Sequence, residues 1–280
     1  MTGVCTQVNN GLMIDNAKLA QSYRVRWDEL KDAGAGYPAS LSAAGSTPAK
    51  AKMGGAAITA WNAPVDNFVD LDHAKEMIDG AQEGVLFLMF NPGPANTLLN
   101  SILGLDPTSL FIHGVVNQDP GGKKAPLIKF THKGKQLPER TLRAVLPSGV
   151  QKSNSYFAKT FTYNMVMIHS KVVVIDPFGK HPVVMTGSHN LGPKASSKND
   201  DNLVIIENAR GLAAEYAVNI MGIYGHYKWL YNQSLKNDKG VSDAKAKAIA
   251  PTYDGNHDDD TWQDYQLSPG QMREIDFWGV

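Results

Sequence analysis

The chain has 280 residues, of which 42% are hydrophobic, and its 27 basic residues balance its 27 acidic residues. This composition allows a sizeable buried core and excludes disorder of the whole chain. The zero formal net charge excludes a global field that would draw the protein onto nucleic acid or an anionic membrane, so any affinity for phosphate must be local. The single cysteine, Cys5, excludes an internal disulfide framework.

The sequence has no readable export signal and no long apolar segment. Residues Met1 to Asn10 lack the basic segment and apolar run that a secretory signal requires. The longest apolar stretches, Val85 to Phe90 and Val172 to Ile175, are far shorter than the roughly 18 residues of a membrane span. We therefore expect a soluble protein without a membrane span.

The first predicted elements are a short strand over Asn10 to Ile14 and an amphipathic helix over Ala17 to Lys31. The helix carries one apolar face, formed by Leu19, Tyr23, Trp27 and Leu30. From Gly34 to Gly55 the composition shifts to Ala, Gly, Ser and Pro, which is typical of a linker. We predict a linker at residues 34–56 between an N-terminal segment, residues 1–33, and a main domain, residues 57–240, with a C-terminal extension at residues 241–280.

Beyond the linker, helical and strand patterns alternate along the chain. The periodicity predicts helices over Leu71 to Gln82, Asn96 to Leu103 and Leu212 to Tyr231. It predicts strands over Gly84 to Phe90, Leu110 to Val116, Lys171 to Asp176, Pro182 to Thr186 and Asn202 to Ile206. This alternation favours an α/β layered fold in which helices flank a mixed sheet.

Two segments of the chain resemble each other and indicate duplicated halves. Asn9 to Lys18 matches Asp201 to Arg210, with Glu207 lying 192 residues after Asp15. After one inserted residue the match continues from Leu19, Ala20 and Tyr23 to Leu212, Ala213 and Tyr216. The same offset takes His169 to a position before Met1, so we expect part of the active site to come from outside this chain.

Two short motifs carry the chemistry, and both lie at predicted strand ends. The first runs from His169 through Lys171 to Asp176 (H-x-K-x4-D), and the second runs from Gly187 to Asn190 (G-S-x-N). Histidine is a competent nucleophile at neutral pH because its imidazole is partly unprotonated there. Lys171, two residues further on an extended segment, projects to the same face and can place a charge on phosphoryl oxygens.

The second motif adds neutral donors. Ser188 and Asn190, on a turn that begins with glycine, can donate hydrogen bonds to the charge that develops in phosphoryl transfer. We predict His169, Lys171 and Asp176 as catalytic residues, and Lys171, Ser188 and Asn190 as phosphate-binding residues. Asp176 lies five residues after Lys171, on the opposite face of a regular strand, which favours a supporting role for it.

These motifs resemble the second catalytic half of the phospholipase D superfamily. The resemblance extends from about Phe87 onward and includes Asn199 to Asn202, the apolar strand after them and the long helix that follows. It implies an α-β-α layered sandwich, and residues 1–33 look like the end of the first half. It further implies two histidines, one forming a phosphohistidine and the other protonating the leaving alcohol, with no metal or other cofactor. His169 is one of the pair, in either role.

In this superfamily a carboxylate after the G-S-x-N turn of one half supports the histidine of the other half. The resemblance therefore implies that Asp200 or Asp201 supports the absent histidine. The partner of His169 is then expected near Gln7, Asn9 or Asn10, which are amides. An amide oxygen can orient an imidazole but does not stabilise imidazolium as a carboxylate does.

The resemblance implies phosphodiester hydrolysis, with a phospholipid as the expected substrate. Two alternatives are an endonuclease of the same superfamily and a catalytically inactive half-protein that binds a phosphorylated ligand or a partner chain. The expected source of the second histidine is a homodimer or a complementing first-half polypeptide. Asp254, Asn256, Asp258 and Asp260 alternate like a calcium loop, but Asp259 and Tyr265 stand where its glycine and glutamate belong, and we expect no metal site.

Overall fold

The computed structural model describes residues 7–36, 38–106, 109–117, 131–132, 135–136, 142–145, 167–236 and 269–279. The strands are β1 Gln7–Val8, β2 Ala49–Met53, β3 Ala56–Asn62, β4 Gly84–Met89, β5 Phe111–Val116, β6 Thr131–His132, β7 Lys135–Gln136, β8 Leu142–Val145, β9 Met167–Ile168, β10 Lys171–Ile175, β11 Val183–Gly187 and β12 Asn202–Glu207. The helices are α1 Ala17–Ala33, α2 Ala39–Gly45, α3 Val69–Asp79, α4 Leu98–Gly104, α5 Pro193–Lys198, α6 Arg210–Lys236 and α7 Pro269–Trp278.

Eight strands form one mixed sheet in the order β2-β3-β12-β11-β10-β4-β5-β8. The three strands β4, β5 and β8 run parallel to one another. The remaining neighbours, from β2 across to β4, pair in antiparallel fashion. The predicted α/β fold with a mixed sheet is therefore confirmed.

Helices cover both faces of the sheet centre. The central strands β4 and β10 are buried at every position. Their residues are apolar except for Lys171, and the apolar residues of β10 are all β-branched, which suits strands with both faces packed. On one face, Phe87 and Val173 pack in a cluster with Leu71 of α3 and Leu98 of α4. On the other face, Leu88 packs with residues of α6, namely Ala213, Tyr216, Ala217 and Ile220. The result is the expected α-β-α layering.

The C-terminal helix α7 returns to the sheet. Phe277 is buried, and its ring stacks on Phe111 of β5 with 4.3 Å between ring centroids. Trp278 contacts Phe178, with 5.0 Å between the centroids. These ring contacts attach the end of the C-terminal extension to the core, since aromatic side chains bury large apolar areas.

The N-terminal segment differs from the prediction. The expected strand over Asn10 to Ile14 does not form, and a shorter strand, β1, pairs instead with β9. The segment from residue 7 to residue 16, named here the strap, crosses the sheet and hydrogen-bonds through side chains as well as backbone. Its Leu12 and Ile14 pack against the cluster of β3 and β12 residues while Met13 is 93% exposed, so the alternating pattern of this segment reflects burial of alternate residues without strand pairing.

The helix after the strap also differs from the prediction in what it buries. Of its predicted apolar face only Leu19 is buried, whereas Trp27 is 67% exposed. Arg26 is buried instead and donates to the carbonyl oxygens of Leu41 at 3.0 Å and Ala63 at 2.7 Å. These bonds tie α1 to the residues on both sides of the β2–β3 hairpin.

The predicted linker at residues 34–56 contains regular structure. Helix α2 lies within it, and β2 forms the edge strand of the main sheet. Along β2, Ala49 and Ala51 are half-buried while Lys50 and Lys52 are exposed. Small half-buried residues and exposed lysines are typical of an edge strand that is protected from pairing with a further strand. Because this pattern contains few large apolar residues, composition alone does not distinguish it from a linker.

Several predictions fall outside the described residues. They concern the calcium-like pattern from Asp254 to Asp260 and the first part of the C-terminal extension, residues 241–268. Among the residues that are described, no helix has both the length and the hydrophobicity that crossing a membrane requires. The same part of the chain holds no group of three or more His, Cys, Asp or Glu side chains arranged for a metal ion.

Candidate active site

Both motifs meet at one edge of the sheet, where β10 and β12 begin and β4 and β11 end; this edge is named here the motif edge. Val172 of β10 pairs with Thr186 of β11, and Gly187 pairs with Leu203 of β12. The residues just before Val172 and the residues just after Thr186 therefore lie side by side at the ends of neighbouring strands. This register brings the His169–Lys171 segment next to the turn that carries Ser188 and Asn190.

The strap fixes the backbone and the ring of His169. The amide nitrogens of His169 and Ser170 both donate to the carbonyl oxygen of Val8 at 2.9 Å. The next strap residue, Asn9, contacts the ring, with 2.8 Å between its Oδ1 and Nδ1 of His169. Of the three amides expected near this histidine, Asn9 makes the contact.

The side chain and backbone of Asn117, which follows β5, fix the segment that precedes His169. Oδ1 of Asn117 accepts from the backbone nitrogen of Ile168 at 3.1 Å. The Nδ2 group of Asn117 donates to Oδ1 of Asn91 at 3.2 Å, and its backbone nitrogen donates to Met89 at 2.9 Å. The segment before His169 is thus connected to the ends of both β4 and β5.

Lys171 is buried beside His169, with only 7% of its surface exposed. Its Nζ donates to the carbonyl oxygen of His169 at 2.7 Å and lies 4.9 Å from the ring centroid of Phe90. The Phe90 ring also meets the His169 imidazole edge-on, with 4.6 Å between the centroids. Phe90 therefore contacts both groups, and its π face stabilises the ammonium.

The electrostatics of the site lower the pKa of both motif residues. Burial first, and then the charge of Lys171, lowers the pKa of His169 below its ordinary value of 6.5. Burial lowers the pKa of Lys171 to about 8, and the negative charge of Asp201 acts in the opposite direction. A neutral imidazole thus stands beside an ammonium that is close to losing its proton near neutral pH.

The turn after β11 depends on glycine. Gly187 has φ of 144°, and a Cβ there would lie 2.2 Å from the carbonyl oxygen of Asn202. This close approach lets the exposed Ser188 bond to β12: its Oγ accepts from the backbone nitrogen of Asn202 at 3.0 Å. Only glycine fits this position without displacing the start of β12.

The turn is supported from below by a buried histidine. The Nδ1 atom of His189 accepts from the backbone nitrogen of Leu191 at 2.9 Å, so the ring proton is on Nε2. Nε2 lies 3.1 Å from both Oγ of Ser196 and Oδ2 of Asp70, and all three side chains are buried. Next to it, Oδ1 of Asn190 is buried and meets no hydrogen-bond donor within the described residues. Such an unsatisfied polar atom is characteristic of functional sites.

Asp176 lies at the opposite end of β10 from the motif edge. Its carboxylate accepts from the backbone nitrogens of Gln82 at 2.9 Å, Glu83 at 2.8 Å and Gly84 at 2.9 Å, which lead into β4. Burial, followed by the charge of Asp176, raises the pKa of Glu83. Asp176 is thus not brought together with His169 and Lys171, and its contacts join two central strands.

The two aspartates before β12 differ in their surroundings. Asp201 is half-buried, and its Oδ2 accepts from Nδ2 of Asn199 at 2.9 Å. Its charge acts on Lys171, as described above. Asp200 is exposed. Of the two aspartates, Asp201 is therefore the one whose charge affects the pKa of a motif residue, Lys171.

Sequence reasoning missed three contributors to this edge: Phe90, Asn117 and the Asp70–His189 pair. Phe90 is the last residue of one predicted strand and Asn117 directly follows another, and these positions are a usable signal because strand ends carry functional residues in α/β folds. Asp70 has no such signal, since it lies near the start of α3, where an acidic residue is ordinarily explained by the helix dipole.

A cavity of about 480 Å³ opens beside the motif edge, between the strap, α1 and the sheet. Ser188, Gly187 and Asn202 line it where it meets the motif edge, and Asn10 lines it next to Asn9. None of its lining residues is charged, and half of them are apolar: Leu12, Ile14, Leu19, Ala20, Ala60 and Val204. Two of its polar groups are already paired, because Nδ2 of Asn10 donates to Oγ1 of Thr186 at 2.7 Å.

Two solved structures are similar to part of this chain. The chain is similar to Nuc from Salmonella typhimurium, a phospholipase D family member, with 16% identity, 61% of this chain and 95% of that chain covered, and a TM-score of 0.42. It is also similar to NucT from Helicobacter pylori, with 14% identity, coverage of 61% and 97%, and a TM-score of 0.44. A search of curated proteins finds no match.

The comparison with protein families gives a more extensive match. The family described as "Cardiolipin synthase, PLD-like domain" matches residues 74–222. This range is more than half of the chain and contains both motifs, from His169 to Asn190. On this match, and with the motif residues gathered at one sheet edge, the chain belongs to the phospholipase D superfamily.

Proposed function

We propose that this protein cleaves phosphodiesters through His169. The observation that carries the proposal is the pairing of an imidazole oriented by Asn9 with a buried lysine, Lys171, two residues away. Lys171 supplies the charge that a phosphodiester needs, and Ser188 and Asn190 supply neutral groups from the adjoining turn. A phosphohistidine is the intermediate expected from such a nucleophile.

We further propose a phospholipid as the substrate. The uncharged, half-apolar cavity beside Ser188 supports this choice, because it can receive hydrocarbon next to the phosphate-binding groups. A nucleic acid would instead need cations along its backbone. A steep salt dependence of oligonucleotide binding, with no binding of lipid phosphodiesters, would therefore identify the chain as an endonuclease.

The second histidine is proposed to come from another polypeptide segment, either a second copy of this chain or a first phospholipase D-like half. The internal similarity between Asn9–Lys18 and Asp201–Arg210 supports a two-half ancestor. The apolar surface left on α1 agrees with this, since Trp27 is largely exposed. Mass determination in solution distinguishes the second copy from a separate first half.

The test is hydrolysis of bis-(p-nitrophenyl) phosphate by the purified chain in excess chelator. We expect release of p-nitrophenolate that resists the chelator and falls at least a hundredfold in His169→Ala, because the nucleophile is lost. His181→Ala is the matched control: His181 is an exposed histidine whose Nδ1 lies 3.1 Å from Oδ1 of Asn208, at the other end of the sheet. Equal losses in both variants, or no turnover and no covalent labelling of the folded chain, would refute the proposal.

A further inference from the structure

The residue that orients His169 is an amide, and this determines which ring nitrogen carries the proton. Oδ1 of Asn9 is an acceptor and lies 2.8 Å from Nδ1 of His169. A hydrogen bond at this distance requires the proton on Nδ1. The lone pair of the neutral ring is then on Nε2, the nitrogen not engaged by Asn9.

The charges around His169 favour the neutral ring. Asn9 and Phe90, which contact the imidazole from the strap and from the end of β4, carry no charge. Lys171 on β10 is the cation whose field acts on the ring. The carboxylate of Asp201, which lies before β12, affects the pKa of Lys171. The effects that lower the pKa of His169 are burial and the charge of Lys171. An imidazolium therefore has no carboxylate partner in these contacts, and both burial and the ammonium disfavour it.

We propose that Asn9 is a positioning residue that holds His169 as a neutral Nδ1–H imidazole, and that His169 is therefore the nucleophile and not the general acid. This inference rests on the proposed phosphodiesterase function and assigns the role of its histidine. A general acid must carry a proton to give away, whereas a nucleophile must have a free lone pair. The amide contact provides the second condition.

The reaction then proceeds with a defined destination for each proton. The Nε2 lone pair of His169 forms the N–P bond as the bond from phosphorus to the leaving oxygen breaks. The leaving oxygen takes its proton from a separate acid, an imidazolium on a first phospholipase D-like half, because a second copy of this chain would present the same amide-held neutral His169. The Nδ1 proton stays on His169 and continues to donate to Asn9. Water, deprotonated by the neutral second imidazole, afterwards breaks the N–P bond and regenerates neutral His169.

This assignment makes a specific demand on the substrate. An unactivated alcohol needs the proton from the second histidine, but p-nitrophenolate departs unprotonated at neutral pH. A p-nitrophenyl phosphodiester should therefore phosphorylate His169 without any partner polypeptide. A chain whose histidine served as the acid would form no such bond.

The first experiment determines the tautomer directly, without turnover. Imidazole ¹⁵N spectra of the full chain are recorded across pH for the unaltered protein, Asn9→Asp and Asn9→Ala, with the His181 signals as internal reference. We expect a protonated Nδ1 and an unprotonated Nε2 at pH 7. In Asn9→Asp the titration midpoint of His169 should rise by about one pH unit or more, because a carboxylate stabilises the imidazolium. Asn10→Asp, at the adjacent strap position, should produce a smaller rise.

The second experiment measures the covalent bond. The chain is incubated with methyl p-nitrophenyl phosphate, and the modified residue is identified by mass spectrometry. We expect labelling of His169 with release of one equivalent of p-nitrophenolate. At pH 7 the labelling rate should fall by about two- to threefold in Asn9→Asp for a rise of one pH unit from a midpoint below 6.5, following the loss of neutral imidazole, and recover as the pH is raised.

The outcomes separate this inference from the function on which it rests. A proton on Nε2, or a midpoint that does not move in Asn9→Asp, overturns the role of Asn9 even if phosphodiesters are cleaved. Turnover without any label on His169 overturns its role as nucleophile. A confirmed Nδ1–H tautomer with neither label nor turnover refutes the nucleophile assignment and the proposed function together, since only the orientation by Asn9 is then correct.

Discussion

The buried position of Lys171 makes its charge sensitive to pH in the physiological range. Its pKa is lowered to about 8 by burial, so the ammonium is present below this value and is lost as the pH rises through it. We expect binding of a non-hydrolysable phosphonate diester to weaken above about pH 8, and isothermal titration at a series of pH values measures the midpoint. Binding that is unchanged up to pH 10 would show that Lys171 does not hold the phosphate.

The aspartate that acts on Lys171 provides the matched test. The charge of Asp201 raises the pKa of Lys171, so Asp201→Asn should move the midpoint of phosphonate binding to lower pH. Asp200→Asn removes the same charge from the exposed neighbour and should leave the midpoint in place. Identical midpoints in both variants would contradict the electrostatic role of Asp201.

At the residue scale, the sequence predicted the identities at the motif edge better than their contacts. Spacing was sufficient for His169 and Lys171, since residues two apart on a strand share a face. The resemblance to the phospholipase D superfamily narrowed the partner of His169 to three amides, and the structure selects Asn9. The contact with Phe90 could not be derived, because it depends on how β4 and β10 align.

At the scale of elements, Asp176 joins the beginning of β4 to the end of β10 by three backbone hydrogen bonds. We expect Asp176→Ala to lower the free energy of unfolding by about 3 kcal/mol, because it leaves buried amides without an acceptor. Asp176→Asn should cost less, since it retains one acceptor and tolerates the positive φ of 45° at this position. Urea unfolding followed by circular dichroism measures the differences.

A control variant separates this effect from a general sensitivity to mutation. Asp79→Ala, on the exposed end of α3, should change the free energy of unfolding by less than about 0.5 kcal/mol. Phosphonate binding to folded Asp176→Ala should match that of the unaltered chain. A loss of binding with unchanged stability would instead make Asp176 part of the chemistry, as the sequence motif alone suggested.

The predictability of each element followed its hydrophobic pattern. The central strands β4 and β10 were predicted almost to the residue because they are continuously apolar. The edge strand β2 was missed because an edge needs few large apolar residues. The strap was misassigned for the opposite reason: its residues have the alternation of a strand, yet its hydrogen bonds are made largely by side chains and by the short pairing with β9.

At the scale of the whole molecule, the cavity combines parts of the chain that are far apart in sequence. Strap and α1 residues form one wall, and β3, β11 and β12 form the other. Ala20, an exposed residue of α1 that lines this cavity, allows the cavity to be filled. We expect Ala20→Phe to weaken binding of dioctyl phosphate about tenfold, the effect of excluding about two methylene groups at about 0.8 kcal/mol each.

The corresponding controls use a smaller ligand and a neighbouring position. Binding of dimethyl phosphate should not change in Ala20→Phe, because this ligand does not reach beyond the phosphate groups. Ala17→Phe places the same side chain on the same helix outside the cavity lining and should leave both affinities intact. Equal affinity of the unaltered chain for both esters would remove the support for a lipid substrate.

The internal repeat relates helices α1 and α6, but the two helices differ in how far their matching apolar faces are buried. Tyr216 and Ile220 of α6 are buried against the sheet, with 8% and 0% of their surfaces exposed. Their counterparts in the repeat, Tyr23 and Trp27, are 36% and 67% exposed. A sequence pattern indicates that a helix has an apolar face but not whether the covering surface lies in the same chain, so this difference was visible only in the structure.

The strap belongs to one half of the internal repeat but contacts the catalytic residue of the other half. By internal similarity Asn9 belongs to one half, whereas His169, the residue it holds, belongs to the other. If two related genes recombined at residues 34–56, one parent would supply the nucleophile His169. The other parent would supply the strap residue that sets the protonation state of His169. A single amide-to-carboxylate difference in the donated strap would alter the acidity at which the recipient works, without any change in its own two motifs.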